Sequence, residues 1–244
     1  MSSSVETENV CTICLDSDPP PIQSGCACRS DSGLAHLDCL IEKAVSQQAH
    51  RGFEVWGQCQ TCGQRFTGAM LTGLGEAWWS RVCDQAAESE DRLCAAHNLA
   101  GCRLRDGQYG EAERIQREVL GVVQRVLGEE HPHTLMSAAH LATTLAFQAK
   151  FAEAEAMLQA TLEAQRRVLG NTHPHTLHTA HWLECVRLDM RAAQPITTGG
   201  KAAARRTIWP SAAFAMGSMR RRSGSSGRCL AFKGGYWERS IPGR

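Results

Sequence analysis

From Leu93 onward the apolar positions follow the period of an α-helix. Ala112, Ile115, Val119, Val123 and Val126 recur at steps of three and four, and Ala154, Leu158, Leu162 and Val168 follow the same rule in the next stretch. Such spacing places each set on one stripe of a helix, with polar residues on the opposite side. Whole motifs return at an offset of 42 residues. Tyr109-Gly110-Glu111-Ala112-Glu113 comes back as Phe151-Ala152-Glu153-Ala154-Glu155, and His131-Pro132-His133-Thr134-Leu135 as His173-Pro174-His175-Thr176-Leu177. The chain therefore carries a tandem repeat, each unit a pair of helices. Two complete pairs are predicted, over about 93–127 and 133–169, then one further helix over about 175–191.

Gly128 and Gly170 stand where a helix C-cap needs positive φ, and Pro132 and Pro174 where the next helix begins. Because His131, His133, His173 and His175 fall at these junctions, they are read as capping and packing residues rather than metal ligands. One helix pair cannot bury its stripe alone, whereas stacked pairs can. With fewer than three full units and no evident polar terminal cap, the array is expected to be marginally stable.

Before the repeats the pattern is different. Between Val10 and Phe66 the large apolar residues are few, notably Ile13, Leu15, Ile22, Leu34, Leu37, Leu40, Ile41, Phe53, Val55, Trp56 and Phe66. A unit of this size with so little to bury needs a metal or disulfides to fold. Seven of the chain's twelve cysteines lie in its first 62 residues. Met1–Asn9 has neither the basic start nor the apolar run of a secretory signal, so the expected compartment is reducing and metal binding is the first reading of the thiols. The alternative is a small core rich in buried cysteine. Cys11-x2-Cys14, Cys26-x-Cys28, His36-x2-Cys39 and Cys59-x2-Cys62 make eight donors in four pairs, enough for two closed tetrahedral Zn²⁺ sites of structural type.

The ligand order, the single residue between Cys26 and Cys28, the His36-Leu37-Asp38-Cys39-Leu40 stretch and the tail Cys62-Gly63-Gln64-Arg65-Phe66 resemble the RING-CH (variant RING, C4HC3) finger of membrane-associated ubiquitin ligases. Histone-reading PHD fingers share the ligand order, but with a longer third-to-fourth gap and a Trp two residues before the seventh ligand; here Trp56 lies three before Cys59. The RING-CH resemblance implies a cross-brace, with Cys11, Cys14, His36 and Cys39 on one zinc and Cys26, Cys28, Cys59 and Cys62 on the other. It also implies an E3 ubiquitin ligase without a covalent intermediate, which recruits a ubiquitin-charged conjugating enzyme and has no catalytic nucleophile of its own. The resemblance implies Ile13 and Arg65 as conjugating-enzyme contacts, with packing over the loop and an ordinary solvated side chain as their alternatives, and Trp56 is read either as a third contact that substitutes for a missing Trp or, preferably, as a core residue. Lys43, where these fingers carry a Trp, departs from the pattern and leaves room for a second reading, a zinc-stapled interaction scaffold without ligase activity.

The 42-residue helix pair, with its Gly-x-x-His-Pro-x-Thr-Leu junction, resembles the tetratricopeptide repeats of kinesin light chains, which implies a scaffold that receives a protein or peptide substrate. The expected fold is thus a small zinc-stapled α+β finger followed by an all-α helical-hairpin solenoid and a disordered tail. The expected boundaries are a disordered start at 1–9, the finger at 10–67, a linker helix at 68–92 in which Trp78 and Trp79 dock the finger against the next part of the chain, repeats at 93–192, and the tail at 193–244.

Charge refines the picture only at that tail. The chain's formal charge is +1, but residues 193–244 hold ten Lys/Arg against the single Glu238. The Arg220-Arg221-Arg222 run is read as part of a disordered segment, with nucleic-acid binding disfavoured. No apolar run approaches the roughly 18–20 residues that span a bilayer, so no membrane span is expected. The expected location is cytoplasmic, with a nuclear one as alternative.

Overall fold

The computed structural model describes residues 9–25 and 33–193. Cys26, Cys28 and the basic tail lie outside the described residues. The chain divides into two units between Cys102 and Arg103, within one helix.

In the first unit, β1 (Ile22–Gln23) pairs antiparallel with β2 (Leu34–Ala35), Ile22 opposite Ala35 and Gln23 opposite Leu34. Helix α1 (Leu37–Arg51) follows directly, then a 3-10 turn over Phe53–Trp56 and an isolated antiparallel bridge between Gln58 and Arg65. Helix α2 spans Gly68–Val82 and α3 spans Glu90–Arg105. The core is small and aromatic. Trp78 of α2 is stacked on Trp56 (5.6 Å between centroids, 5° between planes) and on Phe53 (5.4 Å, 28°), and Met70, Leu71, Leu74 and Val82 close around them. Offset aromatic stacking adds about 0.5–1.5 kcal/mol per pair beyond the area buried.

The linker expected as one helix over 68–92 is two elements. Helix α2 stops at Val82; Gln85 N–H donates to Val82 O and Ser89 N–H to Ala86 O, and these turns redirect the chain before α3 starts at Glu90. Consecutive positions on α2 point about 100° apart, so the adjacent tryptophans meet different neighbours. Trp78 packs back on Phe53 and Trp56, while Trp79 lies under the Arg92 guanidinium at 5.8 Å, a cation–π contact to the start of α3.

In the second unit, α4 (Tyr109–Leu127), α5 (Pro132–Phe147), α6 (Phe151–Val168) and α7 (Pro174–Ala193) pack in sequence order, each against the next. Connections of three to five residues make successive helices antiparallel. The predicted stripes are buried at Ala112, Ile115, Val119 and Val123, and at Ala154, Leu158 and Leu162. Val126 and its repeat mate Val168 are exposed instead, because they fall in the last turn, where the chain turns away into the connection. Helix α5 is buried on nearly all sides by α4 and α6, so it is rich in Ala and Thr rather than amphipathic. Gly128 (φ +90°) is the C-cap of α4 as expected, whereas α6 is capped by Leu169 and Gly170 (φ +89°) comes one residue later. A charged seam ties helices together: Glu113 takes Lys150 at 2.8 Å and Arg117 at 2.7 Å, and Arg117 also reaches Glu153 at 2.9 Å. No described helix is long and apolar enough to cross a membrane.

Candidate metal centre

Cys11 opens a tight loop. Its carbonyl accepts from Leu15 N–H at 2.9 Å, and its N–H donates to Asp16 O at 2.8 Å, a closure that spans Leu15, whose backbone is left-handed (φ +64°). Thr12 pins the loop to β2 through both its N–H and its hydroxyl, each donating to Leu34 O at 3.0 Å. Two residues on from Leu34, His36 follows β2 as the N-cap of α1, and Cys39 lies three further, in the first turn of that helix. Loop, strand end and helix start thereby bring together donors from separate parts of the sequence.

The Cys11, Cys14 and Cys39 sulfurs and the His36 nitrogen all lie within 4.8 Å of one another. His36 Nδ1 is 3.3 Å from Cys14 Sγ and 3.8 Å from Cys39 Sγ. For Zn–S and Zn–N bonds of about 2.3 and 2.05 Å, a tetrahedron has an S···N edge of about 3.6 Å, between these two separations. The donor set and its spacing fit one tetrahedral metal ion with no position left open.

Electrostatics in the cluster point the same way. Burial raises the Cys11 thiol, but N–H groups of Cys14, His36 and Ile13 directed at it more than compensate and bring its pKa down to about 6. Cys39 is pushed up to about 12, first by burial and then by the neighbouring sulfurs of Cys14 and Cys11. One site thus stabilises a thiolate and resists the next, the situation a divalent cation relieves by letting all three sulfurs ionise together. The far ring nitrogen of His36, Nε2, is buried with no hydrogen-bond partner, so Nδ1 is the nitrogen turned to the cluster.

The Cys59–Cys62 loop repeats the construction of the first. Cys59 N–H donates to Gln64 O at 2.7 Å, Gly63 N–H donates to Cys59 O at 2.8 Å, and Gly63 has φ +69°. Position by position this is the Cys11 loop, with Gly63 in the place of Leu15. Cys59 is half-buried and Cys62 exposed. Their expected partners, Cys26 and Cys28, lie outside the described residues. The last described residue before Cys26 abuts the end of this hairpin: Ser24 O accepts from Thr67 N–H at 3.1 Å, and a Cβ at Gly25 would lie 1.7 Å from Thr67 Oγ1.

The three expected conjugating-enzyme contacts are placed differently. Ile13 stands between the first two ligands with 39% of its surface exposed, and Arg65 is exposed on the Gln58–Arg65 bridge. Trp56 is a core residue. It is 1% exposed, stacked on Trp78, and its indole N–H donates to Gln48 Oε1 at 2.8 Å, so it has no face to offer a partner. Lys43 lies half-buried on α1. Sequence reasoning missed the roles of Thr12 and Leu34 in clamping the first loop and of Gln48 in orienting Trp56, because each depends on a contact far away in sequence. The likeness of the two loops was partly visible in Cys62-Gly63, since glycine favours positive φ.

At the repeat junctions the histidines are caps. His131 Nδ1 accepts from His133 N–H and His173 Nδ1 from His175 N–H, both at 3.2 Å, and the two rings of each pair lie against each other, 5.3 and 5.2 Å apart.

Comparison with known proteins places part of this chain. No curated protein matches it. Among solved structures it is similar to the nearly identical TPR-like repeats of a candidate kinesin light chain from Podosopora anserina (24% identity, TM-score 0.40) and to a glutamine-to-methionine variant of them (23% identity, TM-score 0.41). Each alignment covers 62% of this chain and 65% of that one, so this chain spans just under two thirds of the solved chains it matches. The family model described as tetratricopeptide repeat matches residues 91–166 and does not reach back to the cysteine-rich segment. Residues 91–166 carry tetratricopeptide repeats, units that build scaffolds for protein–protein interaction.

Proposed function

We propose that residues 10–67 form a two-zinc finger of RING-CH type and that the protein is an E3 ubiquitin ligase, with the finger recruiting a ubiquitin-charged conjugating enzyme and the repeats holding a protein substrate. The observation that carries this reading is the convergence of Cys11, Cys14, His36 and Cys39 within 4.8 Å, a loop and the start of α1 contributing donors to one point. The matching loop at Cys59 and Cys62 supports a second site of the same kind, shared with Cys26 and Cys28.

The residues assigned to zinc would hold it in closed coordination, where it supplies rigidity and charge neutralisation rather than an activated water. What this chain contributes to transfer is position. Ile13 offers an apolar tip on a loop held rigid by Thr12 and Leu34, and Arg65 offers a cation beside the last ligand pair. Substrate bound to the repeats raises the effective concentration of its lysines near the conjugating enzyme's thioester, and transfer proceeds directly between those two partners.

The decisive assay has two readouts. Elemental analysis of the purified chain is expected to return two equivalents of zinc. Incubation with a panel of ubiquitin-charged conjugating enzymes is expected to accelerate loss of at least one thioester and to build ubiquitin on the chain, with Ile13→Ala abolishing the acceleration while zinc and helical content stay unchanged. No acceleration with any enzyme, at full zinc content, excludes the ligase and leaves the second reading. That reading, a zinc-stapled scaffold without transfer activity, is favoured by Lys43 and by the withdrawal of Trp56 into the core.

A further inference from the structure

Helix α7 repeats α5 at the 42-residue offset, and the comparison isolates one strip of its surface. Leu135, Ala139, Ala142 and Ala146 of α5 are all buried, with Leu135 5% exposed and Ala142 0%. Their counterparts on α7 are Leu177, His181, Glu184 and Leu188, all exposed, Leu177 by 58% and Leu188 by 44%. The reason is positional. Helix α5 is packed between α4 and α6, while α7 packs on α6 and α5 with no later helix among the described residues.

The strip is not shaped for another repeat helix. Three of the four buried α5 positions are alanine, small enough for close helix packing; on α7 those three have become His, Glu and Leu. Nor does it suit the basic segment after α7, because Arg191 continues the strip at its far end and Arg166 flanks the cleft formed by Leu162, Arg166, Asn171, Thr176, Leu177 and Ala180 at its near end.

The spacing does fit a second copy of itself. Leu177, His181, Glu184, Leu188 and Arg191 succeed one another at steps of four, three, four and three, the seam of a two-helix coiled contact. If two α7 helices are laid antiparallel about a twofold axis passing between Trp182 and Leu183, Leu177 of each meets Leu188 of the other, and His181 of each meets Glu184 of the other. Apolar meets apolar at both ends, and an imidazole meets a carboxylate twice at the centre. His181 Nε2 already lies 3.6 Å from its own Cys185 Sγ, which leaves Nδ1 to donate across the axis. The pairing is self-complementary, the requirement of an isologous contact.

We infer that the exposed strip of α7 is a homodimer interface, two copies pairing antiparallel through Leu177, His181, Glu184 and Leu188. One helix pair is a small interface, so the dimer is a weak, reversible one. Its consequence for a scaffold is two sets of repeats in one particle, hence bivalent capture of a partner.

Sedimentation equilibrium of the full chain, run from low micromolar to several hundred micromolar, tests this. A reversible monomer–dimer equilibrium is expected. Glu184→Lys removes the carboxylate that the imidazole meets, and His181→Glu puts like charges across the axis; each is expected to weaken dimerisation by roughly tenfold or more. The two together exchange the charges and are expected to recover most of the wild-type association. Leu177→Asp is expected to abolish it, and because all these positions are exposed, circular dichroism is expected to show unchanged helix content. A monomer at every concentration overturns the inference. So does a dimer indifferent to Glu184→Lys and Leu177→Asp, or one that forms only after residues 194–244 are removed, since the chain's own tail is then the occupant.

Discussion

Trp56 offers the sharpest test of how the core of the first unit is built. Its indole is stacked on Trp78 and its N–H is bonded to Gln48 Oε1, while Gln48 Nε2 reaches Asp91 Oδ2 at 3.3 Å. The Asp91 contact holds the Gln48 amide in one orientation, so the amide cannot turn to satisfy itself if Trp56 changes. Trp56→Phe keeps a ring against Trp78 but strips the donor from Gln48 Oε1, at an expected cost of about 1–2 kcal/mol for an acceptor left half-buried and unpaired. Trp56→Ala also removes the stack and opens a cavity beneath Phe53 and Val55. Large-to-small changes of this kind cost about 3–5 kcal/mol. Guanidinium unfolding followed by far-UV ellipticity measures both, and titration with a conjugating enzyme measures binding below the unfolding transition. The expected order is wild type, then Phe, then Ala in stability and, on the proposed ligase reading, enzyme binding unchanged in the Phe variant. A stability loss below about 0.5 kcal/mol in the Ala variant, accompanied by loss of enzyme binding, refutes the core assignment and returns Trp56 to the surface.

The repeats contain their own controls. Thr134 donates its hydroxyl to Gly128 O at 2.8 Å, whereas the hydroxyl of its repeat mate Thr176 is buried with no partner; Thr134→Val is expected to lower stability by about 1–2 kcal/mol and Thr176→Val to leave it unchanged or raised, read from paired thermal melts. Gln165 is 1% exposed with neither amide atom bonded, at the position that Val123 fills one unit earlier, so Gln165→Leu is expected to stabilise by about 1–2 kcal/mol; a destabilisation means that a buried partner such as water satisfies the amide. Burial, then the neighbouring His173, His178 and His133, hold the folded-state pKa of His175 below the ordinary 6.5. The unfolded chain therefore takes up this proton first, and the contribution of His175 to stability is full above pH 6.5 and is lost as pH falls through the folded value. Melting temperatures between about pH 7.5 and 5.5 are expected to fall less steeply for His175→Gln than for the parent chain, and identical slopes contradict the burial argument.

Local order was legible in the residues alone. The 42-residue offset, the helix pairs, the positive-φ glycines at the helix ends and the histidine caps all depend on neighbours within a few positions, so they are written directly in the sequence. The Cys-x2-Cys loops belong to the same class. Their hydrogen bonds close within six residues, and the two loops come out alike although Leu15 stands where Gly63 does.

Contacts between distant segments were decided by the tertiary structure. Whether Trp56 faces a partner or the core depends on Trp78, which reaches it because α2 packs on the 3-10 turn. Val126 and Val168 satisfy the helical stripe yet lie in solvent, because burial requires an opposing surface and the chain has turned away from one there. Leu135 and Leu177 are the same residue in the same repeat position, one buried under a neighbouring helix and the other exposed on the last described one. Periodicity determines which face of a helix is apolar; only packing determines what, if anything, covers it.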